Sequence, residues 1–187
     1  MLLILASKSP RRAQILEQLG VEFCVEPPRC DENITGIPME DIPKELAKRK
    51  ALDVSARFPN FVLGSDTLVF CENMVLNKPE SKEEAFEMLR KLRNKTHKVL
   101  SGVALCKNNE VLFAGSCQTE VRFRNYSDLE ILDYISTMEY ADKAGAYGAQ
   151  GKGARFIESI NGCFYNVVGL PVALTLKALG KIKQERL

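Results

Sequence analysis

The hydrophobic pattern opens on an apolar run of strand length, Met1 to Ala6, which leads through Ser7-Lys8-Ser9-Pro10-Arg11-Arg12 to an Ile15/Leu16/Leu19 face. Ser9 suits a helix cap and Pro10 a first helical position, so the pattern predicts strand, tight loop, helix. Val21 to Val25 reads as a short strand ended by Pro27-Pro28, and residues 29–39 as loop. Asp41 and Pro43 announce a helix to about Phe58 whose apolar members Leu46, Ala47, Ala51, Val54 and Phe58 recur at three- and four-residue spacing. Lys50 falls on that same face, four after Leu46 and four before Val54, whereas Lys44, Lys48 and Arg49 point elsewhere. Phe61 to Phe70 is an apolar strand interrupted by Gly64-Ser65-Asp66-Thr67. Glu72-Asn73 turns it, Met74 to Leu76 returns, and Asn77-Lys78-Pro79 closes the unit near the strand end that carries Asp66.

Ser81 with Glu84 predicts a capping box, followed by an Ala85/Met88/Leu89/Leu92 face. His97 to Cys106 and Val111 to Phe123 read as two strands about an Asn108-Asn109 turn, and Ser127 with Glu130 starts a helix to about Met138. Residues 142–151, rich in glycine and alanine around Tyr147 and Gln150, look unable to supply core; they suit either close backbone approach to a ligand or a flexible loop. A hairpin is expected at Asn161-Gly162. Pro171 opens a last helix, Val172 to Leu179, stopped by Gly180, with Lys181 to Leu187 as a frayed tail.

At 187 residues the chain fits one large domain, or one domain with two lobes. Lys+Arg 26 against Asp+Glu 24 gives +2, too balanced for nucleic acid or an anionic membrane as main partner, and no aromatic-basic pattern favours a nucleic-acid module. The apolar start is too short for a signal segment and no run approaches a membrane span, so the cytoplasm is the expected location. Six cysteines without a C-x-x-C pair, and the single histidine His97, argue against structural zinc or a disulfide framework. His97 stays open as a site residue.

Against that balanced background, local charge stands out. Two serines, a lysine and two arginines crowd the first helix start, where unpaired N–H groups favour phosphate; a solvated basic surface is the alternative. Asp31-Glu32 suits Mg²⁺ or plain solvation. Lys50, turned inward, is costly unless it meets an anion or snorkels at the core rim. Asp66 is the lone acid in ten core-like residues, so its charge needs a cation or hydrogen-bond donors, unless it caps a turn. Gln150 offers donor and acceptor. Together these groups suit cleavage of a phosphoanhydride, with cations holding polyphosphate, acids holding Mg²⁺ and one acid activating water. Spacing does not say which bond breaks.

Ser9-Pro10-Arg11-Arg12, Asp31-Glu32, Lys50, Gly64-Ser65-Asp66-Thr67, Lys78-Pro79, Ser101-Gly102-Val103, 142–151 and Asn166-Val167-Val168-Gly169-Leu170-Pro171 stand in an order that resembles the Maf-like nucleoside triphosphate pyrophosphatases over almost the whole chain. The resemblance implies a single α/β domain over 1–187, a two-lobed mixed sheet with flanking helices around a central cleft, similar to inosine triphosphate pyrophosphatases. It implies hydrolysis of a nucleoside triphosphate to monophosphate and pyrophosphate with a divalent metal cation, Mg²⁺ or Mn²⁺. Asp66 matches the catalytic acid. Ser9, Arg11, Arg12, Lys50 and Lys78 fall at phosphate-site positions, Glu32 with Asp66 at the metal, and Thr67 and Gln150 at positions of substrate choice. The stretch Asp142 to Gly151 looks like the branch acting on dTTP and UTP rather than 7-methyl-GTP. Ser65, Ser101, Cys163 and Glu139-Tyr140-Ala141 depart from the usual pattern without removing a catalytic group. A nucleotide-binding regulator of cell division and septum formation is the competing role, and the oligomer is left open, a homodimer included.

Overall fold

The computed structural model describes residues 2–72 and 74–185; the expectations that touch Met1, Asn73 and residues 186–187 lie outside them. Strands β1 (Leu3–Ala6), β2 (Phe23–Val25), β3 (Val62–Cys71), β4 (Met74–Leu76), β5 (Thr96–Lys107), β6 (Glu110–Phe123) and β7 (Ile157–Asn161) form a mixed sheet in the order β2-β1-β3-β5-β6-β7, with β4 on β3. Helices α1 (Pro10–Gln18), α2 (Ile42–Ser55), α3 (Lys82–Leu92), α4 (Asp128–Ser136), α5 (Phe164–Val168) and α6 (Val172–Gln184) complete the α/β fold. β1 is buried at every residue: parallel neighbours β2 and β3 pair both its edges and α2 covers Ile4 and Ala6, in keeping with its unbroken apolar run. Among the described residues no helix is long and apolar enough to cross a membrane.

The chain divides into two compact units, Met1–Thr67 with Ser101–Cys117 and Gly169–Leu187, and Leu68–Leu100 with Gln118–Val168. In the first, Ala47, Ala51 and Val54 of α2 pack on Ile4, Ala6, Val62, Ala104 and Cys106. Small side chains bring this helix close to the sheet, and two glycines bring it closer. A β-carbon on Gly64 would stand 2.3 Å from the Ala47 carbonyl oxygen, and one on Gly102 would stand 2.1 Å from that of Pro43. In the second unit an aromatic cluster of Phe123, Tyr126, Tyr134, Tyr147 and Phe156 packs against Leu89, Leu92 and Ile131.

Several boundaries differ from the sequence expectation. β3 runs through Gly64-Ser65-Asp66-Thr67 without a turn. Ser9 occupies the cap position of α1 but its side chain makes no capping bond. Ser127 and Glu130 form the full reciprocal box, whereas Ser81 accepts from Glu84 N–H while the Glu84 carboxylate accepts from Glu80 N–H instead. Residues 142–151 do supply core, with Ala146 and Tyr147 buried in the aromatic cluster. Asn161-Gly162 leads from β7 into α5 rather than into a returning strand. Finally, α6 runs through Gly180 to Gln184, so Lys181 to Gln184 are helical. One glycine costs a helix interior only about 1 kcal/mol, too little to end one.

Candidate active site

Strand alternation sorts the residues of β3 into two groups. Gly64 and Asp66, two apart, face α2. Because Gly64 admits the helix so closely, Lys50, between Ala47 and Ala51 on the contacting face, reaches Asp66: its Nζ donates to Asp66 Oδ1 at 2.6 Å, and both residues are only 7% exposed. The same ammonium donates to Glu32 Oε2 at 2.7 Å. Glu32 is itself exposed, on a loop fastened along α2 by Arg29 N–H to Asp53 Oδ2 (2.9 Å) and Arg49 Nη1 to the Asn33 carbonyl (2.8 Å). Thus Lys50 meets an anion rather than snorkelling, and a buried carboxylate has its cation. Asp31 is exposed and its Oδ1 accepts from Asn33 N–H, a local turn contact.

Ser65 and Thr67 point to the other face, where the Gly169 carbonyl accepts from Ser65 Oγ (3.3 Å), Thr67 Oγ1 (3.3 Å) and Arg12 Nε (2.9 Å). Gly169 has φ 123°, a backbone conformation that disfavours side chains. Arg12 spreads its fork further, Nη1 to Ser7 Oγ at 3.2 Å and Nη2 to Thr67 Oγ1 at 3.4 Å, and Thr67 Oγ1 shares a 2.7 Å hydrogen bond with Ser101 Oγ. Enclosure lowers the Arg12 pKa from its ordinary value; the charge of Asp66 opposes that shift, Arg11 adds to it and Glu32 opposes it. Ser9 is partly buried and donates its N–H to Ser7 Oγ at 3.1 Å, and Arg11 is partly buried beside it.

One unit therefore gathers Ser9, Arg11, Arg12, Glu32, Lys50, Asp66 and Thr67. Lys78, exposed after β4, and Gln150, exposed after the buried run 145–148, belong to the other unit. Ser101 and Gly169 stand in the quoted motifs without a part in the site, and Ser7 counts only as one of the two serines at the first helix start. Hydroxyls beside an arginine-rich turn were the available signal; a backbone carbonyl as the hub leaves no signature in residue type. His97 lies within the second unit's core, its Nε2 2.8 Å from Tyr147 Oη, and burial pushes its pKa down to about 4.

Among the described residues no group of three or more His, Cys, Asp or Glu side chains could hold a metal alone. Glu32 and Asp66, however, converge on a single ammonium. That convergence places two carboxylates together, which is the donor set Mg²⁺ takes when phosphate oxygens and water complete its shell.

The family model described as Maf-like protein matches residues 2–182. Among curated relatives, the dTTP/UTP pyrophosphatase of Clostridium perfringens strain 13 is 46% identical over 184 residues, 96% of this chain and 96% of that protein. The dTTP/UTP pyrophosphatase of Caldicellulosiruptor bescii is 45% identical over 177 residues, covering 91% and 89%. Of solved structures, a HAM1 protein from Coxiella burnetii aligns with TM-score 0.53 at 17% identity over 99% of this chain and 100% of its own. The Staphylococcus aureus Ham1 protein gives 0.52 at 12% identity over the whole of both chains. These two likenesses are of fold.

Proposed function

The chain belongs to the Maf-like proteins, and from that premise we propose that it hydrolyses dTTP and UTP to the nucleoside monophosphate and pyrophosphate. The observation that carries this reading is the buried Asp66–Lys50 pair with Glu32 at its exposed side. Asp66 acts as general base: Lys50 holds Oδ1, which orients the carboxylate and leaves Oδ2 to take a proton from the water that attacks the α-phosphorus. The Lys50 ammonium beside it offsets the cost of burying a carboxylate in that site. Arg12, fixed by three contacts at Nε, Nη1 and Nη2, has two further N–H groups for phosphate oxygens, and Ser9, Arg11, Lys50 and Lys78 add donors for the polyphosphate. Glu32 and Asp66 would hold a divalent cation, Mg²⁺ or Mn²⁺, whose chemistry when bound is to draw negative charge from the phosphate oxygens. Thr67, set by Gly169, Ser101 and Arg12, and Gln150, with its paired donor and acceptor, contribute to the choice of nucleotide.

The test is pyrophosphate release with Mg²⁺ from a panel of dTTP, UTP, CTP and 7-methyl-GTP, by the wild type and Asp66→Asn. Multiple turnover on dTTP and UTP is expected, with loss of about 10²–10⁴-fold in the variant, the range for removing a general base. Near-normal release by Asp66→Asn removes that residue from the mechanism. Preference for 7-methyl-GTP overturns the substrate assignment, and binding without turnover on every nucleotide favours a regulatory protein.

A further inference from the structure

Two glycines of the loop before β7, Gly148 and Gly151, make close approaches to the chain's own Glu139, and Gly148 also to the Lys143 side chain. A β-carbon on Gly148 would stand 2.7 Å from Glu139 Oε1, and one on Gly151 would stand 2.4 Å from Oε1 and 2.5 Å from Oε2. The loop thus wraps a carboxylate, which accepts from Lys152 N–H at Oε2 (2.8 Å) and from Gly153 N–H at Oε1 (3.2 Å). Tyr134 bridges the other side: its hydroxyl donates to Glu139 Oε1 at 3.4 Å and accepts from Gly148 N–H at 3.2 Å. Lys143 fastens the entry, its Nζ donating to the Glu139 carbonyl and to Asp142 Oδ1, both at 2.6 Å. Met138, with φ 60°, makes the reversal after α4 that turns Glu139 back into the loop.

Gln150 stands exposed between the two clamped segments, one ending at Gly148 and one beginning at Gly151. An exposed glutamine on a glycine-rich loop would sample many placements; one whose flanks are pinned by three backbone hydrogen bonds to a single, mutually bonded Tyr–Glu pair has its backbone set in advance, and a fixed amide discriminates where a wandering one does not. We propose that Glu139, seconded by Tyr134, is a positioning residue for nucleobase choice, holding 148–153 so that the Gln150 amide meets the base in one placement. This rests on the reading of Gln150 as a group that contacts the base.

Glu139→Gln keeps the size but sets an NH₂ against an amide N–H where a carboxylate oxygen accepted. Expected are amide exchange at Lys152 and Gly153 at least tenfold faster, and a kcat/KM ratio for UTP over GTP at least tenfold lower, the loss residing in KM for UTP with kcat nearly kept. Gln150→Ala is expected to lower the same ratio, and adding Glu139→Gln to it to lower it no further. A wild-type ratio in Glu139→Gln beside a lost ratio in Gln150→Ala overturns the positioning role alone. An unchanged ratio in Gln150→Ala, or a wild type that turns over no triphosphate, removes the underlying reading and the proposal with it, while amide exchange still reports on the clamp. A double variant well below Gln150→Ala also overturns it, because Glu139 would then act through general loosening. Should Glu139→Gln fail to fold, Tyr134→Phe, which removes one hydroxyl, must lower the ratio at least threefold with a KM effect, or the proposal falls.

Discussion

Gly64→Ala tests whether the site is assembled by the closeness of α2 to β3. The added carbon would lie 2.3 Å from the Ala47 carbonyl oxygen and 2.9 Å from both the Ala51 nitrogen and its β-carbon. Two of these three atoms are backbone and cannot rotate aside, so ordinary contact at roughly 3.4 Å requires the helix to withdraw by about 1 Å. Overpacking of that kind costs about 1–3 kcal/mol. In a chain of this size each kcal/mol lowers the melting temperature by roughly 2–4 °C, so a fall of about 2–12 °C is expected. Lys50 rides on the same turn as Ala47 and Ala51 and must follow them, stretching its 2.6 Å and 2.7 Å bonds to Asp66 and Glu32. A misplacement near 1 Å in a reacting constellation costs up to about 10²-fold in rate. Thermal melts and initial rates of pyrophosphate release on one preparation read both effects. A variant that melts and turns over like the wild type refutes the idea that this glycine sets the geometry of the site.

The same exchange at Gly180 should act in the opposite sense, because this residue lies inside α6 with nothing within 4 Å of an added β-carbon. Gly180→Ala is expected to raise stability by about 0.5–1 kcal/mol in urea titrations, and a loss would contradict a helix running through that position. His97 should make stability depend on acid. Burial holds its folded pKa at about 4, below the 6.5 of an unfolded histidine, so the unfolded chain takes up the proton first. Its contribution is complete above pH 6.5 and lost as pH falls toward 4, about 3 kcal/mol in all. The difference in unfolding free energy between wild type and His97→Gln should shrink by that order across the window; parallel pH profiles would exclude the titration of His97.

Lys50 was legible because a three- and four-residue rhythm places a side chain on a helix face regardless of what lies opposite. Asp66 was legible because a single acid in an apolar strand must find a partner. What lay opposite was not legible. The role of Gly64 depends on α2 reaching β3 across intervening chain, and a glycine that admits a helix has the same letter as one that turns a loop. For the same reason Gly148 and Gly151 read as room for a ligand when their space is taken by Glu139 and, at Gly148, by Lys143 as well. Asn161-Gly162 carries the hairpin signal, but the chain uses the positive φ of Gly162 to enter α5. The capping residues divide along similar lines: Ser127 found its reciprocal glutamate, whereas Ser9 marks the helix start by backbone shape while the hydroxyl of Ser7 takes the polar contacts.

Four consecutive residues of one strand, 64 to 67, serve separate tasks by parity. Exchanges at 65 and 67 alter the hydroxyls around the Gly169 carbonyl and with them the seat of Arg12, but leave the acid and its lysine on the opposite face alone; under the proposed function, substrate contacts have room to drift among descendants without disturbing that buried pair. Loss or gain of a single residue upstream in that strand has no such tolerance, since it would send the acid to the carbonyl and the hydroxyls to the lysine in one stroke.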